Sequence, residues 1–328
     1  MGIQLEYSER GPGSLIRDVR DFRDEVLCGL KELCGPEFTV EERDVEKNNG
    51  VLLYGISIMG PGENIAPTIY MEPLFNEYVR GTMNVKEAEN EILKIYSKEK
   101  HKPDIDLSDL SDFEKIRDML TFRLINAGRN TELLKKVPHR MYLDMAIVYT
   151  VYVADVFSGA GNILVRNDLM KAWGTDEETL FSLAAENTPR IKEPVIKDLS
   201  DMLLSILDSQ ESSREDMEKV LKEGSDISMY VLTNSDKFYG DAVILYPDLL
   251  KDLCEKIGPE FYLLPSSVHE FIAVPALGNT NEEELSEMVK SVNRTSVGKE
   301  DFLSDNVYVF KDGKMTICQT CISQDKNH

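Results

Sequence analysis

Nowhere do the 328 residues offer an apolar run approaching the roughly 18 that a membrane-spanning helix needs. The opening residues MGIQLEYSERGPGS carry charges and glycines where a secretory leader needs an apolar stretch of about 7–15 residues, so export is not expected. Cysteine is scarce: five, an odd number at irregular spacing, make no disulfide framework and fit a reducing compartment. A cytoplasmic location is the expectation, and the Asn293-Arg294-Thr295 sequon then has no route to glycosylation. Basic residues are also in short supply. Against 59 acidic side chains there are 37 basic ones, a net charge of −22. A field of that sign repels phosphate backbones and anionic headgroups, so neither nucleic acid nor a membrane surface is an expected partner.

Several motifs are missing as well. Gly159-Ala160-Gly161 lacks the third glycine of a dinucleotide loop, and Gly298-Lys299 is followed by Glu300 without the upstream glycine of a phosphate loop. No Gly-x-Ser-x-Gly elbow occurs, and Asp104 to Lys115 fails the calcium-loop pattern at its glycine and at its terminal glutamate. No cofactor is expected.

What is present is enough apolar and aromatic material for a sizeable core: 42% hydrophobic residues, with twelve Phe and thirteen Tyr spread along the chain. Leu15, Val19, Phe22, Val26, Leu27 and Leu30 make a helical stripe, on which Cys28 is expected to be buried; Gly35-Pro36 stops it. Asn49-Gly50 between two β-rich runs signals a hairpin, Ile65 to Met71 a third strand, and Pro73 to Tyr96 one or two helices. A capping box at Ser111 and Glu114 and the spacing of Phe113, Ile116, Leu120, Leu124 and Ala127 predict a helix ending at Gly128. Met141 to Phe157 is read as a bent strand or two strands, with a returning strand from Ile163. A second box at Thr175 and Glu178 opens a helix ending before Pro189. Leu199, Met202, Leu203, Ile206 and Leu207 form a further helical stripe. Strands follow at Met229–Thr233, Ala242–Tyr246 and Phe261–Pro265, with helices at 248–257 and 282–292 and a last hairpin at Asp312-Gly313. Runs from strand into helix beginning at Ile69, Ile163 and Ile244 raise the question of an internal repeat.

Because hairpins outnumber strand-helix-strand units, the fold class is α+β, with helices packed on mixed or antiparallel sheets; α/β is the alternative. Three segments are expected: 1–100, an N-terminal helix-hairpin-helix; 101–193, a middle α+β segment; and 194–328, a C-terminal one, the first boundary set by the charged, proline-containing stretch after Ser97.

Chemistry concentrates in Leu264-Pro-Ser-Ser-Val-His-Glu-Phe271, where two hydroxyls, an imidazole and a carboxylate interrupt apolar runs. Ser266, Ser267, His269 and Glu270 are the catalytic candidates, with His269 as base. The structural alternative is a capping box of Ser267 and Glu270 around one helical turn. His269-Glu270 lacks the second histidine of a zinc protease. Cys318 and Cys321 have the spacing of half a metal knuckle without complementary ligands, so no metal site is assigned.

The stretches Trp173 to Arg190, Met229 to Ser235, Gly240 to Pro247 and Phe261 to Glu270 resemble an uncharacterised bacterial family, domain of unknown function 5688, typical of anaerobic gut Firmicutes. The resemblance spans nearly the whole chain and implies a cytoplasmic bacterial protein; it brings no activity. It adds Asn187 and Arg190 as binding candidates beside the Pro265–Glu270 turn. The functional expectation is a non-enzymatic binding or interaction protein, whose partner is a protein or small molecule. A hydrolase or transferase at Pro265–Glu270, with Arg190 contacting an anion, is the alternative, and an acidic decoy for a basic partner the third.

Overall fold

A computed structural model describes residues 16–63, 66–99, 110–156, 159–200, 229–278 and 280–318. The chain divides into two compact units, one of residues 1–47, 51–106 and 155–159, the other of 48–50, 107–154 and 160–328. The helical stripe at 199–207 falls mostly outside the described residues, as does Cys321.

In the first unit, helix α1 (Val19–Cys34) starts where the Asp18 carboxylate accepts the amides of Arg20 and Asp21, both at 2.9 Å, and stops at Gly35, whose φ of 82° suits glycine. Its buried positions Phe22, Val26 and Leu30 recur every fourth residue. Cys28 lies off that spacing and is exposed, against the sequence expectation of a buried thiol. Strands β1 (Thr39–Glu46), β2 (Leu52–Met59) and β3 (Thr68–Tyr70) form an antiparallel meander. Between β1 and β2 in sequence, Asn49 at φ 59° and Gly50 at φ 68°, which count with the second unit, make the left-handed turn. Helices α2 (Glu72–Arg80) and α3 (Val85–Glu99) complete the unit, and Phe22, Ile56, Ile58, Leu74 and Ile92 share its core. Buried Arg23 is held by carboxylates of Asp24, Glu42 and Asp44 while its guanidinium lies over the Tyr54 ring, which satisfies a charge that burial alone would expel.

The second unit contains two sheets. One comprises β4 (Leu120–Asn126), β5 (His139–Tyr142), β6 (Met145–Val156) and β7 (Gly159–Leu164), with β4 on one side of β6 and β5 and β7 also paired to β6. The other has six strands: β8 (Pro194–Asp198), β9 (Tyr230–Asn234), β10 (Phe261–Ser267), β11 (Glu270–Pro275), β12 (Tyr308–Lys311) and β13 (Lys314–Ile317), in the order β13-β12-β10-β11-β9-β8. Every pairing given between described strands is antiparallel, so the class is α+β and the doubly wound alternative falls.

Period-two alternation explains the core. Phe261 and Leu263 of β10 enter the large core with Phe122 and Leu124 of β4 and Tyr149 of β6. Tyr262 and Leu264 point the other way, packing with Leu285 and Val289 of a helix at Glu282–Thr295. Both faces of β10 are therefore covered, which is why it reads as an unbroken apolar run. Fully burying each such side chain is worth about 1.5–3 kcal/mol.

Three sequence expectations fail here. The helix expected to run from 113 to 127 is one turn, α4 (Phe113–Ile116), then a 3₁₀ turn to Met119, then strand β4. Leu120, Phe122 and Leu124 also repeat at two, and seven cross-strand partners on β6 outweigh local helix propensity. The caps sit one residue later than expected. Asp112 accepts the Glu114 amide in place of a Ser111 box, and Asp176 accepts the Thr179 amide in place of Thr175. The strand expected at Ala242–Tyr246 is instead part of a buried 3₁₀ segment, Gly240–Leu245.

After the short helices α5 (Thr131–Leu134) and α6 (Asn167–Ala172), helix α7 (Glu177–Ile191) continues through Pro189 rather than ending before it. It covers the free edge of β4: the buried Thr188 hydroxyl donates to the Ala184 carbonyl at 2.5 Å and accepts the Phe122 amide at 3.1 Å. Thr188→Val keeps the shape and orphans that amide, so it is expected to lower unfolding stability by about 1–3 kcal/mol in urea titrations. No loss would mean that the amide finds another acceptor. Helices α8 (Leu249–Ile257) and α9 (Glu282–Thr295) complete the unit, and no described helix is long and apolar enough to cross a membrane.

Candidate functional site

The residues singled out in the sequence sit on the β10–β11 hairpin, and its turn is two residues, Val268 and His269, not a helical turn. The Ser267 hydroxyl accepts the His269 backbone amide at 3.0 Å, which tightens the turn. The Ser266 hydroxyl donates to Glu270 Oε1 at 3.1 Å. In this arrangement neither serine is bonded to the imidazole. His269 Nδ1 lies 3.2 Å from the Tyr239 backbone nitrogen, and Nε2 lies 3.2 Å from Asp301 Oδ1. A backbone amide only donates, so Nδ1 must hold a lone pair and the proton must reside on Nε2, donated to Asp301. The bond to Asp301 and the bond from Tyr239 thus select one neutral tautomer.

Asn187 and Arg190 lie near the end of α7 and make no hydrogen bond to the hairpin among those of the described residues. The Asn187 side-chain amide donates to the Arg117 carbonyl at 2.8 Å. Arg190 Nη2 donates to Asn187 Oδ1 and to the Asp118 carbonyl, each at 3.0 Å. Both side chains tie α7 to the turn that precedes β4. Cys318 is buried against Tyr262 and Leu264, and among the described residues no three His, Cys, Asp or Glu side chains are grouped to hold a metal ion.

The loop that reaches His269 was not singled out in the sequence. It leaves β9 at Asn234 and enters the 3₁₀ segment at Gly240, and within it Lys237 (φ 55°) and Tyr239 (φ 52°) are left-handed without being glycine. Such conformations cost roughly 1–3 kcal/mol each and persist where neighbouring bonds impose them. Here Asn234 does so: its carbonyl accepts the Lys237 amide at 3.1 Å and its Oδ1 accepts the Phe238 amide at 3.3 Å. Its Nδ2 donates back to the Phe238 carbonyl at 3.1 Å. The result presents Phe238, 44% exposed, stacked on His269 with centroids 5.3 Å apart and edge-on to Tyr239 at 4.3 Å.

Beneath the loop lies a cluster of charges. The Arg123 guanidinium of β4 covers the Tyr239 ring at 4.2 Å. Lys192, 4% exposed just past α7, has its ammonium 4.0 Å from the carboxylate of Asp236, which is 27% exposed. Burial pushes the Lys192 ammonium below its ordinary range, opposed by Asp236 and Asp241. Asp241 is fully buried, and desolvation raises it well above the usual carboxylate range despite the nearby amide of Ala242 and the charges of Arg123 and Lys192. The Ala242 and Leu124 amides favour its anion electrostatically, yet neither closes a hydrogen bond of ordinary geometry, and both oxygens lack a partner among the described residues. Arg123 Nε is likewise buried and unpaired. Tyr246 donates its hydroxyl to the Lys192 carbonyl at 3.0 Å, fixing that backbone. Unpaired buried polar atoms, strained backbone and shifted ionisation coincide nowhere else among the described residues. The only hint in the sequence is Asp241 standing alone before the apolar run Ala242-Val-Ile-Leu.

A shallow groove of about 800 Å³ lies along α3 in the first unit, lined by Thr82, Met83, Asn90, Lys94 and Ser97 among others. It brings no shifted or unpaired group together, so the loop site is the stronger candidate on chemical grounds.

Fold and site together define an α+β protein of antiparallel sheets with an exposed aromatic loop seated over buried charges. The chain belongs to a family of unknown function, domain of unknown function 5688, whose profile matches residues 19–312. Neither the curated proteins nor the solved structures contain a match.

Proposed function

We propose that the protein is a non-enzymatic binding protein whose contact surface is the 235–239 loop on the β10–β11 hairpin. The observation that carries this reading is Phe238: a large ring, 44% exposed, held in one orientation by left-handed neighbours, Asn234 and the His269 ring. Exposed aromatics on pre-organised backbone are the side chains that anchor interfaces, because little entropy is lost when they are covered. The hydrolase or transferase reading requires a serine hydroxyl within about 2.6–3.2 Å of a ring nitrogen, and both ring nitrogens of His269 already face other partners.

The test is a thermal-shift screen of peptides, sugars and nucleotides on wild type and Phe238→Ala. Because the ring is half exposed, the variant is expected to unfold within about 1 kcal/mol of wild type. A compound that stabilises wild type and loses at least about tenfold in affinity for the variant supports the contact. Compounds that shift both proteins equally overturn it.

A further inference from the structure

We infer that His269 is a proton-operated latch on the Phe238 loop: a proton taken up at Nδ1 removes the acceptor of the Tyr239 amide and frees residues 237–239 from the hairpin. This regulation rests on the reading of Phe238 as the contact residue. The proton comes from solvent, and the product is an imidazolium with N–H on both nitrogens. Nδ1–H and the Tyr239 N–H, 3.2 Å apart by their nitrogens, then face each other as two donors. The loop has strain to release, since Lys237 and Tyr239 are both left-handed. Its remaining hydrogen bonds, from Asn234 to Lys237, Phe238 and Tyr239, lie within the loop and do not reach the hairpin turn, where the Phe238 and Tyr239 rings rest on the imidazole.

Charged groups surround the ring. On the hairpin side Asp301 accepts Nε2–H, with Lys299 and Glu300 preceding it in sequence and Glu270 engaged by Ser266. On the loop side Arg123 lies on the Tyr239 ring, while Asp236, Lys237 and buried Asp241 belong to the same segment. Asp301 also anchors the turn through its carbonyl, which accepts the Val268 amide at 2.8 Å, and the Thr233 hydroxyl donates to the His269 carbonyl at 2.8 Å. The hairpin therefore stays in place when the loop departs. Above the imidazole titration Phe238 is presented in a single pose; below it the pose is lost.

The experiment uses the full chain without any partner. Amide exchange at Tyr239, corrected for its intrinsic rate, is followed by NMR from about pH 8 to pH 5, alongside the His269 ring C–H resonances. Wild type is expected to lose about tenfold in protection at Tyr239 along the same curve as the ring titrates, the equivalent of one hydrogen bond. His269→Asn, which places a non-titrating acceptor near the Nδ1 position, is expected to show flat protection. Protection that stays constant while the wild-type ring titrates overturns the latch, and so does an equal loss in His269→Asn, which would assign the response to another group. If that variant does not fold, the two wild-type curves decide alone. A failure of the latch in this assay leaves the Phe238 contact standing. Ligand shifts that are identical in wild type and Phe238→Ala remove the contact and leave the titration untouched.

Discussion

Alanine at Gly240 costs the second unit about 3 kcal/mol of unfolding free energy, read as a lower urea midpoint at unchanged slope. A Cβ there would sit 2.2 Å from Thr233 Oγ1, 2.4 Å from the His269 carbonyl oxygen and 2.9 Å from the Asn234 backbone nitrogen. The hydroxyl could rotate aside, but the other two atoms belong to β9 and to the hairpin turn, whose backbones are held by sheet pairing. The backbone at Gly240 is not left-handed, so the constraint is space alone. Gly278, with nothing within 4 Å of its added Cβ, is the control, and its alanine variant is expected to change stability by no more than about 0.5 kcal/mol. The same close approach keeps His269 against the loop. Gly240→Ala is therefore also expected to weaken exchange protection at Tyr239 before global unfolding begins. Equal stability of the two alanine variants would show that the loop entry yields freely and that its conformation is not imposed by packing.

Asp241→Asn is expected to stabilise the protein increasingly as pH rises, reaching about 1–3 kcal/mol at pH 8. Burial raises the folded-state ionisation of Asp241 above its unfolded value. The native state therefore holds a proton that the unfolded chain releases from about pH 4 upward, and the stability it contributes is lost as pH climbs through the raised value. Asparagine keeps the shape and cannot ionise. Urea melts of both proteins at pH 5 and pH 8 give the comparison, with the gap expected to be small at the lower pH. Should wild type be the more stable at pH 8, the attraction of Arg123 and Lys192 for the carboxylate outweighs its desolvation, and the cluster is an ion network. A gain in stability on removing a charge is the behaviour of a position kept for something other than folding.

Some of the fold follows directly from local chemistry. The stripe of Phe22, Val26 and Leu30, the Asn49-Gly50 and Asp312-Gly313 turns, and the strand at Phe261 to Pro265 form where periodicity and turn residues place them. The turns succeed because left-handed backbone at two consecutive positions is available at low cost to few residues. At Phe113 to Ala127 local signals conflict: Leu120 and Leu124 fit a helix, while Leu120, Phe122 and Leu124 fit a strand. The choice was made by Thr121 to Asn126 finding β6 alongside, and by Thr188 sealing the other edge.

The candidate site divides in the same way. His269 stands out in the sequence because a histidine between apolar runs is unusual chemistry; its partners do not, because Tyr239 is 30 residues earlier and Asp301 is 32 later. Arg123, Lys192, Asp236 and Asp241 look like four ordinary surface charges until β4, the end of α7 and the loop after β9 bring them together. Composition, periodicity and turn residues by themselves determined the α+β class, the absence of an 18-residue apolar span and most element types, since those depend on neighbours within about four positions. Only the tertiary structure decided that Asp241 is buried without a hydrogen-bond partner among the described residues, that Gly240 admits no side chain and that Tyr239 closes on His269. Burial and electrostatics act through space, and the groups concerned are separated along the chain by as many as 118 residues, from Arg123 to Asp241.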